Sequence, residues 1–234
     1  MDISIVIPAY NEENRIVATL NKIYNYLKQK QFEFEIIIVD DGSKDKTRQI
    51  VENFEKENKE IKLLQHEKNK GKGASVRTGV LIAKGDYILF SDSDLSTPIE
   101  ELDKLLFWVK EKDYDIAIAS RGLPDSQIPV PQPWHRRLTG KMFPIMVRLI
   151  VTNQFRDTQC GFKLFKKDAS KEIFKEQKIT GFAFDVEVLY KAILKRYKIK
   201  EVPVIWINSA SSKVAILRDP LKMLKDLFII KFLK

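Results

Sequence analysis

The sequence is poor in the residues that build disulfide-rich, fibrous or disordered proteins. Cys160 is the one cysteine among 234 residues, so neither an internal disulfide nor an all-cysteine metal site can form. Nine glycines and nine prolines are too few for a collagen-like or low-complexity chain, and 44% hydrophobic residues are too many for a disordered one. These absences leave a folded globular protein of a reducing compartment.

Long hydrophobic runs are also missing. No stretch reaches the roughly 18 uninterrupted apolar residues that a membrane-spanning helix needs. The chain is also short enough to fold around one core. We therefore predict a single domain over residues 1–234, soluble or peripheral to a membrane.

The positive charge is concentrated in two segments. The chain has 41 Lys and Arg against 32 Asp and Glu, a net charge of +9. Residues 134–151 carry four basic side chains and no acid, and residues 213–234 carry six against two acids, so each segment contributes +4. Both mix these charges with large apolar residues, which is typical of a helix lying in a membrane interface. The pattern favours a membrane surface over nucleic acid as a partner, and ordinary core-packed helices with basic outer faces are the alternative.

Short apolar runs alternate with helical patterns through the first 120 residues. The runs are residues 3–7, 36–39, 61–64, 87–90 and 116–119. Strands separated by helices of this length form a parallel sheet covered on both faces, with ligands at the carboxyl ends of the strands. The pattern predicts an α/β fold with a mostly parallel sheet and functional residues directly after each run.

An Asp-x-Asp pair, Asp92 and Asp94, follows the fourth apolar run. Two carboxylates spaced in this way at a strand end can share one hard divalent cation, which is what a nucleotide diphosphate needs. A surface loop or a helix cap is the plainer interpretation. The stretch is also similar to the Asp-x-Asp-x-Thr motif of haloacid-dehalogenase-type phosphatases, but in that family the motif follows the first strand.

Two glycine-containing turns accompany this pair. Asp40-Asp41-Gly42 ends the second run, where a carboxylate can accept hydrogen bonds from a base or ribose, or simply form a turn. Gly71-Lys72-Gly73 opens a helix and offers backbone N–H groups and positive charge to a phosphate. It lacks the P-loop spacing, which argues against an ordinary NTPase.

Together these motifs resemble the inverting nucleotide-sugar transferases of the GT-A fold, family 2. In chain order the motifs are Ile5-Val6-Ile7-Pro8-Ala9-Tyr10-Asn11-Glu12, Val39-Asp40-Asp41-Gly42-Ser43, Asn69-Lys70-Gly71-Lys72-Gly73 and Asp92-Ser93-Asp94. The second half resembles dolichyl- or polyprenyl-phosphate glycosyltransferases, the β-glucosyltransferases first and the mannose-phosphate-dolichol synthases next. Its motifs lie at residues 156–165, 182–187, 201–206 and 223–227.

The resemblance implies a role for each motif. The nucleotide would be bound by Pro8, Tyr10, Glu12, Asp41, Lys72 and Asp92. Asp92 and Asp94 would hold Mg²⁺ or Mn²⁺ on the diphosphate, and Ser96 stands at the position that can complete the metal shell. Residues 1–120 would form the nucleotide-sugar half and residues 121–234 the acceptor and membrane-facing half.

In the second half the resemblance implies phosphate and acceptor contacts. Arg121 and one of Arg136 or Arg137 would bind phosphates, although anionic lipid headgroups are an alternative partner for the latter two. Asp157 would be the carboxylate nearest the acceptor oxygen, either orienting it or taking its last proton, and a loop cap is the alternative. The residues expected to touch the membrane are Phe143, Met146, Ile150, Leu224 and Phe228.

The activity that this implies is transfer of glucose from UDP-glucose to dolichyl or polyprenyl phosphate by a peripheral protein at the cytoplasmic membrane face. A GDP-mannose-dependent synthase is the nearest alternative, and a non-catalytic membrane-associated scaffold is the alternative of a different class. A homodimer is one oligomeric state that the sequence allows.

Overall fold

The computed structural model describes residues 1–130, 134–208 and 218–232, and it describes the side chains of all of these except residues 134–141 and 218–221. The strands are β1 (Ile3–Ala9), β2 (Phe34–Asp40), β3 (Ile61–Gln65), β4 (Tyr87–Ser91), β5 (Ile116–Ser120), β6 (Phe162–Lys166) and β7 (Ile199–Pro203). The α-helices are α1 (Ile16–Gln29), α2 (Thr47–Glu57), α3 (Lys72–Ile82), α4 (Leu102–Leu106), α5 (Trp134–Ile150), α6 (Lys167–Glu176), α7 (Phe184–Leu194) and α8 (Arg218–Lys231).

The strands form one sheet in the order β3-β2-β1-β4-β6-β5-β7. The first four are mutually parallel, and β5 is parallel to β7. Strand β6 runs antiparallel to both of its neighbours. The sheet is therefore mostly parallel, as the sequence predicts, with one reversed strand in its second half.

The reversed strand determines where the functional loops meet. Phe162, the first residue of β6, pairs with Ser91, the last residue of β4. The segment before β6 therefore reaches the same sheet edge as the segment after β4. Asp157 and Asp92 are brought to one edge although they lie in different halves of the chain.

Helices cover both faces of the sheet, as predicted. On one face Ile16, Leu20 and Ile23 of α1 are buried against the β-branched residues of β1 and β2. On the other face, buried side chains of α3, α6, α7 and α8 form a second cluster. Because both faces are covered, β2 is buried at every residue and reads as a continuous apolar run.

Three local features differ from the sequence-based expectations. Helix α6 follows β6 directly and was not predicted, since it has no capping signal and no side-chain cap. The last strand begins at Ile199 and ends at Pro203, although the apolar residues of this stretch continue to Ile207. Ser43, a residue type that often caps helices, accepts the Asn11 N–H at 2.9 Å, and α2 begins at Thr47.

Helices α5 and α8 pack against each other. Phe143, Met146 and Ile150 lie against the buried cluster, so their assignment as membrane contacts is corrected: they form the inner stripe of α5. Among the side chains of α5 that the structure describes, the exposed apolar ones are Met142, Ile145 and Leu149, the last 80% exposed. On α8, Leu224 is half-buried, whereas exposed apolar side chains are provided by Phe228, Ile229 and Phe232.

Candidate functional site

The loop after β4 holds the Asp-x-Asp pair in a small pocket at the carboxyl edge of the sheet. The pocket is lined by Ser91, Asp92, Asp94, Leu95, Ser96, Thr97, Gly161 and Trp206. Asp94 Oδ1 accepts the Ser96 N–H at 3.0 Å, and the second oxygen, Oδ2, lies 4.0 Å from an Arg15 guanidinium nitrogen. Asp92, Asp94 and Ser96, the predicted metal residues, are thus brought together.

Gly161 makes room for the Asp92 carboxylate. A Cβ at Gly161 would lie 2.0 Å from Asp92 Oδ2, so any side chain there would displace the carboxylate. The Asp92 N–H also donates to the Gly161 carbonyl at 2.9 Å, which ties the two loops together. The fit explains why a glycine stands directly before β6.

Lys72 lies at the start of α3 with its Nζ 2.7 Å from Asp92 Oδ1. Burial acts to lower the pKa of Lys72, but the carboxylates of Asp92, Asp185 and Asp94 outweigh it, so the pKa is raised. The lysine therefore stays charged and contributes a fixed positive charge beside the pocket.

The donors of this pocket fit a hard divalent cation. Asp92 Oδ1 is in contact with the Lys72 ammonium, and the pocket offers carboxylate and hydroxyl oxygens, which Mg²⁺ and Mn²⁺ prefer. Among the described residues no group of three or more His, Cys, Asp or Glu side chains could hold a metal. A cation at Asp92 and Asp94 would therefore need ligand oxygens from a diphosphate or water.

Asp41, at the end of β2, shapes the glycine loop. Its carboxylate accepts the N–H groups of Lys70 at 2.9 Å and Gly71 at 2.8 Å. Gly71 has φ 103, in the left-handed region that favours glycine, and a Cβ there would lie 2.4 Å from the Thr180 carbonyl oxygen. Asp41 is only 3% exposed, so it holds the loop that carries Lys72.

His66 is a supporting residue that sequence reasoning missed. Its Nδ1 lies 2.7 Å from Asp41 Oδ1, and its Nε2 lies 3.0 Å from Thr78 Oγ1. The neighbouring pair Asp40 and Gln65 is in register between β2 and β3. A histidine two residues after the third apolar run is a signal that could have placed it beside Asp41.

The residues after β1 form the adjoining part of the edge. Glu12 is buried, its N–H donates to Thr47 Oγ1 at 2.6 Å, and its carboxylate pairs with Arg15. Pro8 and Tyr10 are half-buried beside it. Pro8 thus lies in β1, and Tyr10 and Glu12 follow this strand, next to β2 and the Asp41 that comes after it.

Arg121 and Asp157 form a bidentate ion pair at the ends of β5 and of the segment before β6. Arg121 Nε lies 2.6 Å from Asp157 Oδ2, and Nη2 lies 2.9 Å from Oδ1. Burial acts to raise the pKa of Asp157, but the Arg121 guanidinium outweighs it and lowers the pKa to about 2. The guanidinium also lies over the Trp206 ring, 5.4 Å from its centroid, and Trp206 lines the Asp92 pocket.

Further ion pairs hold the loop that contains Asp157. Glu201 accepts the N–H groups of Arg156 at 3.0 Å and of Asp157 at 2.8 Å. Lys163 is 1% exposed, donates to the Cys160 carbonyl at 2.6 Å and pairs with Asp185. These contacts fix the loop rather than leave charges available, and sequence reasoning did not foresee Lys163 or Glu201.

Some expected contacts fall outside the described part of the chain. The side chains of Arg136 and Arg137 are among those not described. No described helix is long and apolar enough to cross a bilayer.

Comparison with known proteins identifies relatives over almost the whole chain. Residues 4–174 match the family model described as glycosyl transferase family 2. The chain is 35% identical to the dolichyl-phosphate beta-glucosyltransferase of Dictyostelium discoideum, and 32% identical to that of Homo sapiens. Each alignment covers 98% of this chain and 74% of the relative.

Solved structures of similar fold include two sugar-phosphoglycerate synthases. Glucosyl-3-phosphoglycerate synthase of Mycobacterium tuberculosis, crystallised with Mn²⁺, UDP-glucose and phosphoglyceric acid, has a TM-score of 0.71 at 15% identity, over 98% of this chain and 78% of that chain. Mannosyl-3-phosphoglycerate synthase of Rubrobacter xylanophilus has a TM-score of 0.72 at 16% identity, over 99% of this chain and 73% of that one. These similarities confirm the GT-A fold, and none of them supports a homodimer.

Proposed function

The chain belongs to glycosyltransferase family 2, and from this membership we propose that it moves glucose from UDP-glucose to a dolichyl or polyprenyl phosphate. One observation carries the proposal. The Asp92 and Asp94 carboxylates share a pocket with Trp206, and the Arg121 guanidinium lies over the Trp206 ring. The pocket suited to a donor diphosphate and the Arg121 guanidinium suited to an acceptor phosphate thus lie together at one sheet edge.

Donor binding in this proposal uses the ends of β1, β2 and β4. Pro8, Tyr10 and Glu12 line the nucleoside pocket. Asp41 acts through the loop that it holds, since both of its oxygens already accept backbone N–H groups. Lys72 supplies positive charge beside the diphosphate.

Asp92, Asp94 and Ser96 would hold a divalent cation, Mg²⁺ or Mn²⁺. When bound, such an ion would neutralise the negative charge that develops on the leaving nucleoside diphosphate. The proposal is supported by the carboxylate residues Asp92 and Asp94 and the hydroxyl residues Ser91, Ser96 and Thr97 in the lining of the pocket.

Acceptor activation needs little base. A phosphate monoester has a second pKa of about 6 and is largely ionised at neutral pH, so its oxygen is already a nucleophile. Asp157, with a pKa of about 2, is a very weak proton acceptor. Its part in direct displacement at the anomeric carbon is therefore to orient Arg121, which binds the acceptor phosphate, rather than to take a proton.

The membrane would be contacted by the outer faces of α5 and α8. Met142, Ile145 and Leu149 lie on one helix and Phe228 and Phe232 on the other, all of them at least half exposed. Basic side chains near them suit an anionic surface. We place this face on the cytoplasmic leaflet, where nucleotide sugars and a reducing environment coincide with the single free cysteine.

Transfer assays test the activity directly. The protein is incubated with Mn²⁺ or Mg²⁺, polyprenyl phosphate and labelled UDP-glucose, and the organic phase is analysed for lipid-linked sugar. We expect labelled glucosyl lipid that disappears on chelation of the metal. If only GDP-mannose gives a lipid-linked product, the sugar that the protein transfers is mannose and not glucose. No product from either donor would contradict the enzymatic function and favour the scaffold.

Flotation with anionic vesicles tests the membrane face. Leu149→Ser and Phe232→Ser should each reduce the fraction of protein that floats, because each removes a large exposed apolar side chain from the contact. Phe107→Ser is the matched control, since Phe107 is also exposed but follows α4. Equal flotation of all variants would contradict the assignment of this face.

A further inference from the structure

Four charged side chains of alternating sign adjoin the Asp-x-Asp pocket. Asp92 Oδ1 contacts the Lys72 ammonium at 2.7 Å, and Asp185 Oδ1 contacts the ammonium of Lys163. Lys163 and Asp185 are buried, whereas the side chains of Lys72 and Asp92 are 22% and 34% exposed. One ion pair is therefore closed to solvent, and the other can be reached by an ion that enters the pocket.

The two ion pairs are neighbours because α3 and α7 begin side by side. Gly73, which follows Lys72, would place a Cβ 2.6 Å from the Cβ of Phe184, so a side chain at Gly73 would push the two helix ends apart. The Lys72 and Lys163 ammoniums lie over the same Phe90 ring, at 5.3 and 5.8 Å from its centroid. The face of an aromatic ring attracts cations, so this ring supports both lysines.

The Lys72 ammonium stands where a divalent cation would bind. It contacts an oxygen of Asp92, one of the two carboxylates predicted to hold the metal. The ammonium would repel a second cation on the same oxygen, so the two exclude each other. The flexible four-carbon stem of a lysine lets its ammonium move without a change in the backbone. We therefore expect Lys72 to leave Asp92 when the metal binds.

Asp185 is the carboxylate to which this ammonium can move. Lys72 already interacts electrostatically with Asp185 as well as with Asp92. Burial raises the pKa of Asp185, and the ammoniums of Lys163 and Lys72 both oppose that rise. The buried carboxylate is therefore stabilised by cationic neighbours. Lys163 contacts one oxygen, Oδ1, and a carboxylate has two oxygens that accept.

We propose that Asp185 is a positioning residue that receives the Lys72 ammonium when a divalent cation takes its place on Asp92. The cation itself rests on the proposed function. In the free protein Lys72 is the counter-ion of Asp92, and in the metal-bound protein it turns toward α7 and stays beside the pocket. Lys163 keeps Asp185 in place, because it also donates to the Cys160 carbonyl at 2.6 Å.

Calorimetric titration with Mn²⁺ alone, without nucleotide, tests the exchange. Lys72→Met should raise the affinity for Mn²⁺ about fivefold, because it removes the competing charge from Asp92. Asp185→Asn should lower the affinity by about the same factor, because the ammonium then has no second carboxylate to receive it. Lys70→Met is the matched control: Lys70 is an exposed lysine of the same loop, and its loss should leave the affinity unchanged.

The double variant Lys72→Met with Asp185→Asn separates this role from a structural one. If Asp185 acts through Lys72, the double variant should bind Mn²⁺ as tightly as Lys72→Met does. Thermal unfolding shows whether each variant is folded. If Asp185→Asn alone does not fold, Asp185→Asn with Lys163→Met replaces it with and without Lys72→Met, because both charges of the buried pair are then removed.

Two results would overturn the exchange. One is an equal weakening by the Asp185 substitution with and without Lys72, which would make Asp185 a structural residue or a distant charge. The other is equal Mn²⁺ affinity of Lys72→Met and Lys70→Met. Absence of Mn²⁺ binding in every variant would contradict the metal site of the proposed function together with the exchange. Absence of transfer activity would contradict the proposed function but leave these titrations valid, so the failures are separable.

Discussion

Asp94 and Asp157, which belong to different halves of the sheet, use their carboxylates in different ways. Asp94 lies in the loop after β4 with its oxygen atoms in a pocket, and an Arg15 guanidinium nitrogen is 4.0 Å from Oδ2. In the second half Asp157 is bound bidentately by Arg121, and Asp185 pairs with the buried Lys163. The tightly paired carboxylate of Asp157 fixes backbone and side chains in place, whereas the carboxylate of Asp94, with its guanidinium neighbour 4.0 Å away, leaves room for a ligand cation. The comparison separates binding groups from positioning groups.

Removal of the Asp94 carboxylate should have the largest effect on turnover. We expect Asp94→Ala to lower transfer by about a thousandfold or more, because the charge of the leaving diphosphate would lose its stabilisation. The thermal midpoint should stay close to that of the parent protein, since Asp94 accepts one backbone N–H at 3.0 Å and lies 4.0 Å from the Arg15 guanidinium. Activity assays and thermal unfolding on the same preparation measure both. Retained activity in Asp94→Ala would contradict the role of Asp94 in metal binding.

Removal of the Asp157 carboxylate, which is paired with Arg121, should mainly lower stability. Asp157→Asn leaves the Arg121 guanidinium without its buried partner, which costs about 3 kcal/mol of the free energy of unfolding. Urea denaturation measures the loss. The double variant Asp157→Asn with Arg121→Met should lose less stability than the sum of the two single losses, because Arg121→Met removes the charge that Asp157→Asn leaves without a partner. Full additivity would show that the pair is not coupled.

The first half of this site was predictable from local patterns, whereas Arg121 and Asp157 of the second half were identified through the resemblance alone. The apolar runs locate the ends of β1, β2 and β4, and motifs at those ends identify Glu12, Asp41 and Asp92. The position of Asp157 at the same edge depends on β6 running antiparallel between β4 and β5. Strand direction follows from long-range pairing, which a local pattern does not encode.

The orientation of α5 was also beyond the sequence. Its apolar residues occur on two stripes, so periodicity alone does not say which stripe faces the core. Packing against α8 and the buried cluster selects Phe143, Met146 and Ile150 as the inner stripe. Similarly, nothing local shows that Lys163 would be buried with Asp185.

The close approach of Gly161 to Asp92 should have a smaller but specific effect. Gly161→Ala would place a Cβ 2.0 Å from Asp92 Oδ2 and push the carboxylate out of position. We expect the Mn²⁺ concentration needed for half-maximal UDP binding to rise about tenfold, as when one ligand of a metal site is displaced. Gly181→Ala is the control, because its Cβ would meet only ordinary contacts at 3.7 Å and beyond. Equal behaviour of the two variants would contradict the role of Gly161.

The smallest expected effect is a difference in acid stability between the parent protein and Asp157→Asn. The pKa of Asp157 is lowered from 3.8 to about 2 in the folded state, so its stabilising contribution is present above pH 4 and is lost as the pH falls toward 2. The parent protein should therefore lose this part of its stability over that interval, and Asp157→Asn should not. Urea midpoints at pH 4.5, 3.5 and 2.5, all at about constant ionic strength, measure the difference. Parallel curves would contradict the coupling.

The most direct test of the separation between binding and positioning carboxylates is calorimetric titration of UDP with and without Mn²⁺. The parent protein should bind UDP more tightly with the metal. Asp94→Ala should abolish that enhancement, and Asp157→Asn, measured below its unfolding temperature, should retain it. Loss of the enhancement in Asp157→Asn, or its survival in Asp94→Ala, would contradict the account.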